Sequence, residues 1–247
     1  MTDDTAWDDY PYRVVGSGPV TPVIAELHLA PDPTALPYAP GQYVLLGDRD
    51  LQVPQRSYSA AHAPRPDGTI SLLVTRIRGG ATSTWVHDRL RVGDPVLLSG
   101  PYGTFVPDPG RSGPALLLAA GSGLAPVRAL AEALLEEHPA RPVTLFFSAR
   151  TSADAIDHER LVDLARTRPG FRYLLTRTRA PDGTDRPHVP DLLAGSLGDL
   201  TGWEVFASGP PGFVTACAAA ARALGAEPAA VHTEEFFVEP QPCTIAP

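Results

Sequence analysis

The stretch Pro114–Ala133, PALLLAAGSGLAPVRALAEA, decides how this chain is read. Ala115–Ala120 carries no polar side chain, as expected of a short strand buried on both faces. Gly121-Ser122-Gly123 then ends the run abruptly. Val127, Leu130, Ala131, Leu134 and Leu135 follow at helical spacing, with Arg128, Glu132 and Glu136 on the other face. A strand, a glycine turn and a helix start together suit a phosphate. Glycines admit close backbone approach, and the free N–H groups and positive dipole end of the helix face the anion. The spacing is GxGxxP rather than GxGxxG, and Pro126 falls in the first helical turn, where no N–H is needed. The same stretch also fits an ordinary strand-to-helix turn of any α/β domain, so a nucleotide site needs support from elsewhere.

Downstream, strands and helices alternate. Strands are expected at Ala115–Ala120, Val143–Ser148, Phe171–Thr176, Glu204–Ala207 and Ala230–His232, and helices at Ala125–Glu137, Asp154–Arg166, Val189–Leu193 and Gly212–Leu224. That order predicts a parallel, doubly wound sheet. Upstream, helical periodicity is nearly absent. Short β-rich runs at Tyr12–Val15, Val23–Leu29, Tyr43–Leu46, Ser57–Ala60, Ile70–Arg76 and Pro95–Ser99 are separated by Pro, Gly and Asp clusters, which predicts an antiparallel barrel or sandwich. One short helix is expected at Thr84–Leu90, capped by Ser83 or Thr82. The periodicity changes at the linker-like Pro107–Gly113. The expectation is two domains, β then α/β, over residues 1–110 and 111–247.

Composition narrows the function classes. The 247 residues are 43% hydrophobic and 19% charged, with no apolar run near the roughly 20 residues of a membrane span. The acidic start MTDDTAWDDYPY has no positive, apolar leader, so a cytoplasmic location is expected. Two cysteines, Cys217 and Cys243, are too few for an iron–sulfur cluster, which takes about four thiolates. A net charge of −8 argues against nucleic acid as partner. All 20 basic residues are arginine, so no lysine serves as Schiff base or phosphate clamp.

Three features of the first domain are each weak alone. Arg56-Ser57-Tyr58-Ser59 sits on an expected strand, with Arg56 and Tyr58 on one face. Arg78-Gly79-Gly80-Ala81-Thr82-Ser83-Thr84 opens the short helix as a plain cap or as a second anion cradle. Pro40-Gly41-Gln42 turns into a strand.

In this order, these motifs resemble the ferredoxin–NADP reductase superfamily. Pro40-Gly41-Gln42 is similar to its PGQ turn, and Arg56-x-Tyr58-Ser59 to its RxYS flavin motif. Val74-x-Arg76 falls where that family has a strand lining the flavin tail. Gly80-x-x-Ser83 resembles its GxxS pyrophosphate loop, and Gly100-Pro101-x-Gly103-x-Phe105 the end of its barrel. Gly121-x-Gly123-x-x-Pro126 is similar to the nicotinamide fingerprint, Ser208-Gly209-Pro210-Pro211 to the CGP-type loop and His232-x-Glu234-x-Phe236 to the closing HxExF. The resemblance runs from about residue 12 to 237.

It implies a flavoprotein oxidoreductase with FAD (FMN in some members) and NADP, or else NAD. Arg56 would pair with the flavin pyrophosphate, Tyr58 would stack on the isoalloxazine, and Ser59 would bond its reactive nitrogen. Gly80, Ser83 and Thr84 would meet the phosphates, and Val74 and Arg76 would line the flavin tail. Gly121, Gly123 and Pro126 would carry the nicotinamide pyrophosphate. Ser208 stands where the family often has cysteine, next to Gly209 and Pro210, and Glu234 would link to Ser208 or to the ring as a proton relay. Phe236 and Phe237 would cover the open flavin face or anchor the tail. Arg150, Arg177 and Arg186 are the candidate readers of the NADP ribose phosphate, in contexts that match the family only at the arginines. The chain is expected to act as a monomer, and it has no cluster of its own to receive the electrons. It would hand electrons to a ferredoxin, a flavodoxin or an oxygenase component, docked on arginines such as Arg65, Arg76, Arg78, Arg89 and Arg91. The alternatives are a flavin or ferric-chelate reductase with a diffusible acceptor, and a flavin-binding subunit active only with a partner chain.

Overall fold

The structure is a computed structural model that describes residues 9–50, 52–179 and 187–236. Arg186, Phe237 and Cys243, singled out above, lie outside the described residues.

The first half forms six antiparallel strands: β1 (Asp9–Pro19), β2 (Ile24–Pro31), β3 (Tyr43–Asp48), β4 (Arg56–Ser59), β5 (Ile70–Thr75) and β6 (Pro95–Tyr102). Their order is β4-β3-β6-β1-β2-β5, and a bridge from Ala60, just beyond β4, to Leu72 on β5 draws the two edges together into the expected barrel. Alternation fills its interior: Tyr12, Val14, Leu27, Leu29, Val44, Leu46, Ile70, Leu72 and Leu98 form one core.

The expected helix after β5 differs from expectation. An α-helical turn, α1 (Ala81–Thr84), runs directly into a π-helical turn at Trp85–Arg89. Gly80 is the N-cap, without a side-chain cap bond. Ser83 therefore does not cap; its hydroxyl accepts from the Ile77 N–H at 3.1 Å and closes the preceding turn. The Thr82 hydroxyl donates to Pro54 O at 2.5 Å, which ties the helix to the approach of β4.

The second half is a five-stranded parallel sheet ordered β11-β10-β7-β8-β9: β7 (Ala115–Ala120), β8 (Val143–Ala149), β9 (Phe171–Arg177), β10 (Glu204–Gly209) and β11 (Val231–Glu235). Helices α2 (Leu124–Glu137) and α3 (His158–Thr167) cover one face, and α4 (Val189–Ser196) and α5 (Pro211–Ala223) the other, so the sheet is doubly wound. Leu116 and Leu118 face one core and Leu117 and Ala119 the other, which is why the β7 sequence shows no polar alternation. The helix expected from Asp154 begins instead at His158, because Ser152–Asp154 forms a separate 3-10 turn and Asp157 adopts φ 53°.

The connection between the halves is held by charge. Glu204, fully buried at the start of β10, accepts from the Asp108 N–H at 2.8 Å and from Arg141 Nη2 at 2.7 Å. Arg141 Nε also donates to Gly113 O at 2.6 Å. His232 Nε2 lies 3.2 Å from the same Glu204, with its ring stacked on Phe206 at 4.6 Å.

Candidate functional site

The carboxyl ends of β7, β8 and β10 face the barrel, and between them lies a cavity of about 1150 Å³. From the barrel come Pro54, Arg56, Ser57, Tyr58, Ser59, Thr75 and the α1 turn at Gly80–Ser83. From the layered half come Gly121, Ser122, Ala125, Arg150, Pro210, Phe213 and Glu234. A crevice at the point where strand order reverses is where doubly wound sheets bind ligands.

The two glycines of the β7 turn have separate reasons. Gly121 sits at φ 56°, a backbone conformation that favours glycine, with open space where a Cβ would point. At Gly123 a Cβ would fall 2.3 Å from Ser208 O, so only glycine lets the start of α2 pack against β10. Pro126 is buried in the first turn of α2. The turn and the start of α2 line the cavity through Gly121, Ser122 and Ala125, with the Leu124 N–H bonded back to Gly121 O.

The barrel side presents an aromatic, a cation and hydroxyls. Tyr58 is half-buried, and burial pushes its phenol up to about 12, against the opposing pull of Arg56. It therefore stays neutral and offers a ring face. Ser59 is buried and donates to Glu234 Oε1 at 2.5 Å. Burial raises the Glu234 carboxyl to about 7, and the Ser59 hydrogen bond only partly offsets the rise. Thr75 donates to Ser122 Oγ at 3.0 Å across the junction.

Most of the sequence-predicted residues meet here: Arg56, Tyr58, Ser59, Gly80, Ser83, Gly121, Arg150, Pro210, Glu234 and Phe236 all line the cavity. Others stand elsewhere. Val74 is fully buried in the barrel core. Arg76 is exposed and held by Asp88 through two bonds of 3.0 and 2.6 Å, so it does not line the cavity as expected. Thr84 lies one residue beyond the lining. Gly123 and Pro126 support the turn from behind. Ser208 is fully buried and its hydroxyl has no partner, while Gly209 O accepts from the Phe236 N–H at 2.9 Å. The expected Glu234–Ser208 link is not made: the two residues are register partners on β11 and β10, but the Glu234 carboxylate turns to Ser59. Arg177 is outside the lining, on the strand face of Tyr173, whereas Arg150 is inside it.

Sequence reasoning missed Ser57, Thr75, Ser122, Thr178, His188 and Phe213, all of which line the cavity. Thr178 lies in the bend just beyond the end of β9, where strand alternation gives no signal.

The donor set suits a flavin beside a dinucleotide. One side offers a neutral ring face, hydroxyls and a guanidinium. The other offers a glycine turn at a helix start, the Arg150 guanidinium and the Glu234 carboxyl.

Comparison with known proteins agrees. Residues 21–106 match the oxidoreductase FAD-binding domain, and residues 117–219 match the oxidoreductase NAD-binding domain. Ferredoxin–NADP reductase B of Sorangium cellulosum (strain So ce56) is 35% identical over 239 residues, 91% of this chain and 96% of that protein. The aromatic O-demethylase reductase subunit of Amycolatopsis sp. (strain ATCC 39116 / 75iv2) is 35% identical over 210 residues, 81% of this chain. This chain spans 61% of that subunit's length. The crystal structure of the Amycolatopsis cytochrome P450 reductase GcoB superposes with a TM-score of 0.82 at 30% identity, over 92% of this chain and 69% of that one. No helix among the described residues is long and apolar enough to cross a membrane. With an FAD-binding barrel and an NAD-binding layered domain on one cavity, and with the Sorangium reductase matched over nearly its whole length, this chain belongs to the ferredoxin–NADP reductase superfamily of flavoprotein oxidoreductases.

Proposed function

We propose that the chain carries electrons from NADPH through FAD to a separate protein carrier, a ferredoxin, a flavodoxin or an oxygenase component. Residues 1–110 would hold the flavin and residues 111–247 the dinucleotide. The observation that supports this most is the single cavity in which the Arg56–Ser59 strand and the Gly121 turn face each other. Held by Arg56, Tyr58 and Ser59, a bound flavin would supply the redox chemistry that links a two-electron nicotinamide to a carrier.

The residues have distinct tasks. Arg56 and the α1 turn at Gly80–Ser83 hold phosphate charge at one end of the cavity. Tyr58 packs against the ring, and Ser59 presents its hydroxyl beside it. Gly121 carries the dinucleotide pyrophosphate, with Pro210 opposite. Glu234, near neutrality at about 7, holds or gives a proton through Ser59 Oγ. Arg150, Thr178 and His188 all line the cavity, and Arg150 reads the 2′-phosphate that favours NADP over NAD.

The relatives named as a ferredoxin–NADP reductase and a reductase subunit support a protein acceptor. Action as a monomer in the cytoplasm belongs to the same proposal. Arg65, Arg78 and Arg89 are exposed and offer a dock for an acidic carrier. Arg91 is also exposed, but its guanidinium is bonded to Leu90 O and Asp88 O at 2.9 Å each. The test measures reduction of ferredoxin and flavodoxin, and of a ferric chelate without a carrier, across ionic strength. Docking requires carrier reduction that falls steeply with salt while chelate reduction stays flat. Fast chelate turnover with no carrier reduction would point to a diffusible acceptor instead.

A further inference from the structure

Behind the cavity, one buried cation joins the two halves. Arg128, on the second turn of α2, is 4% exposed, and its guanidinium reaches three acceptors. Nε donates to Ala61 O at 2.5 Å, Nη2 to Glu26 Oε1 at 2.5 Å, and Nη1 to Asp157 Oδ2. Ala61 and Glu26 belong to the barrel half, and Arg128 and Asp157 to the layered half. The cavity-lining residues Ile24, Ser59 and Ala125 lie just before Glu26, Ala61 and Arg128 in the chain.

An outer ring reinforces the contact. Arg160 bonds Glu132 at 2.5 Å and approaches Asp157 at 3.6 Å, and Glu132 Oε2 accepts the Ala63 N–H at 3.0 Å. Asp157 also keeps a left-handed backbone at φ 53°, costly for a residue with a Cβ. Burying charge is a poor route to stability, since apolar residues of similar volume usually serve as well. A guanidinium fork with three fixed acceptors supplies direction instead.

We propose that Arg128 is a positioning residue for hydride transfer. It sets the separation between the flavin cradle at Ser59 and the nicotinamide turn at Gly121–Gly123. This rests on the reductase reading above. Arg128 does not line the cavity, so it acts on the geometry of the reacting partners and not on their binding.

The test uses the FAD-loaded protein and two variants. Arg128→Met removes the fork, and Glu26→Gln weakens one arm while keeping its shape. Arg166→Met, at an exposed α3 arginine paired with Asp163 at 3.2 Å, is the control. Rapid mixing with excess NADPH under anaerobic conditions gives the limiting rate of flavin reduction and the NADPH Kd. A displacement of about 1 Å costs up to about a hundredfold, so Arg128→Met should slow the limiting rate about ten- to a hundredfold. Glu26→Gln should slow it by a smaller factor, with Kd in both within about threefold of the wild type and the control unchanged. In the flavin-free protein, amide exchange at Ala61, Ala63 and the first turn of α2 should rise at least about tenfold in Arg128→Met while β8 keeps its protection.

A wild-type limiting rate in both variants, a change confined to Kd, or exchange that rises evenly through both sheets would overturn the proposal. If Arg128→Met does not fold, Glu26→Gln decides it by the same readouts. Wild-type protein that NADPH does not reduce would remove the reductase reading, and this inference with it. Normal reduction of the wild type and of both variants removes this inference alone.

Discussion

Replacing Glu234 with glutamine should change how stability depends on pH, by an amount that follows from its surroundings. The carboxyl sits on β11 against Ser59, and burial raises it from 4.5 to about 7 in the folded chain. The folded state therefore holds this proton more tightly than the unfolded chain does. Stability from this group is fully present below pH 4.5, is lost as pH rises, and levels off above about pH 7. Between pH 5 and pH 8 the loss is about 2.5 kcal/mol, at 1.36 kcal/mol per pH unit over the part of the window crossed. Glutamine keeps the shape and an acceptor for the Ser59 hydroxyl but carries no charge. The flavin-free Glu234→Gln protein should thus melt close to the wild type at pH 5 and about 5–10 °C above it at pH 8. Differential scanning calorimetry at the two pH values reads this directly. A difference in melting temperature that is the same at pH 5 and pH 8 would refute the reasoning, because it would mean that Glu234 ionises in its ordinary range.

Three further outcomes are expected. Arg150→Ala should raise the NADPH KM about ten- to a hundredfold and leave NADH nearly unchanged, as a lost charge-assisted hydrogen bond of about 1.5–3 kcal/mol requires. Arg177→Ala should leave both within about twofold, since its side chain lies outside the cavity. Gly123→Ala drives a Cβ to 2.3 Å from Ser208 O, a backbone atom with nowhere to go. It should cost about 3 kcal/mol and lower the melting temperature by about 6–12 °C, whereas Gly212→Ala, with nothing within 4 Å, should not lower it. Arg141→Met leaves the buried Glu204 charge short of a partner and should cost about 3–5 kcal/mol. Adding Glu204→Leu should recover most of that loss in the same thermal scan.

The architecture was legible because its signals are local. Ala115–Ala120 has no polar residue, and a strand covered on both faces needs none. The Pro107–Gly113 cluster marks the change from alternating to layered patterning and, in the structure, the connection between the sheets. What was not legible depends on partners distant in sequence. Arg76 sits at the end of a strand with every mark of a cofactor residue, yet Asp88, 12 residues on, holds it in solvent. Glu234 and Ser59 are 175 residues apart, so sequence could place the carboxylate at the site but could not choose Ser59 over Ser208 as its partner. The three acceptors of Arg128 lie 67, 102 and 29 residues away, and in sequence it read as one polar residue on an amphipathic helix. The break before α3 was hidden for another reason. Asp157 accepts a left-handed backbone within an otherwise helix-compatible stretch, and nothing in the sequence demands it.

Anaerobic titration of the purified, FAD-loaded protein with NADPH tests the central claim most directly. The shared cavity should bring the reduced nicotinamide against the flavin, so one equivalent of NADPH should bleach the yellow colour completely. Protein that stays yellow under excess NADPH and NADH, or remains colourless after incubation with FAD, would contradict it.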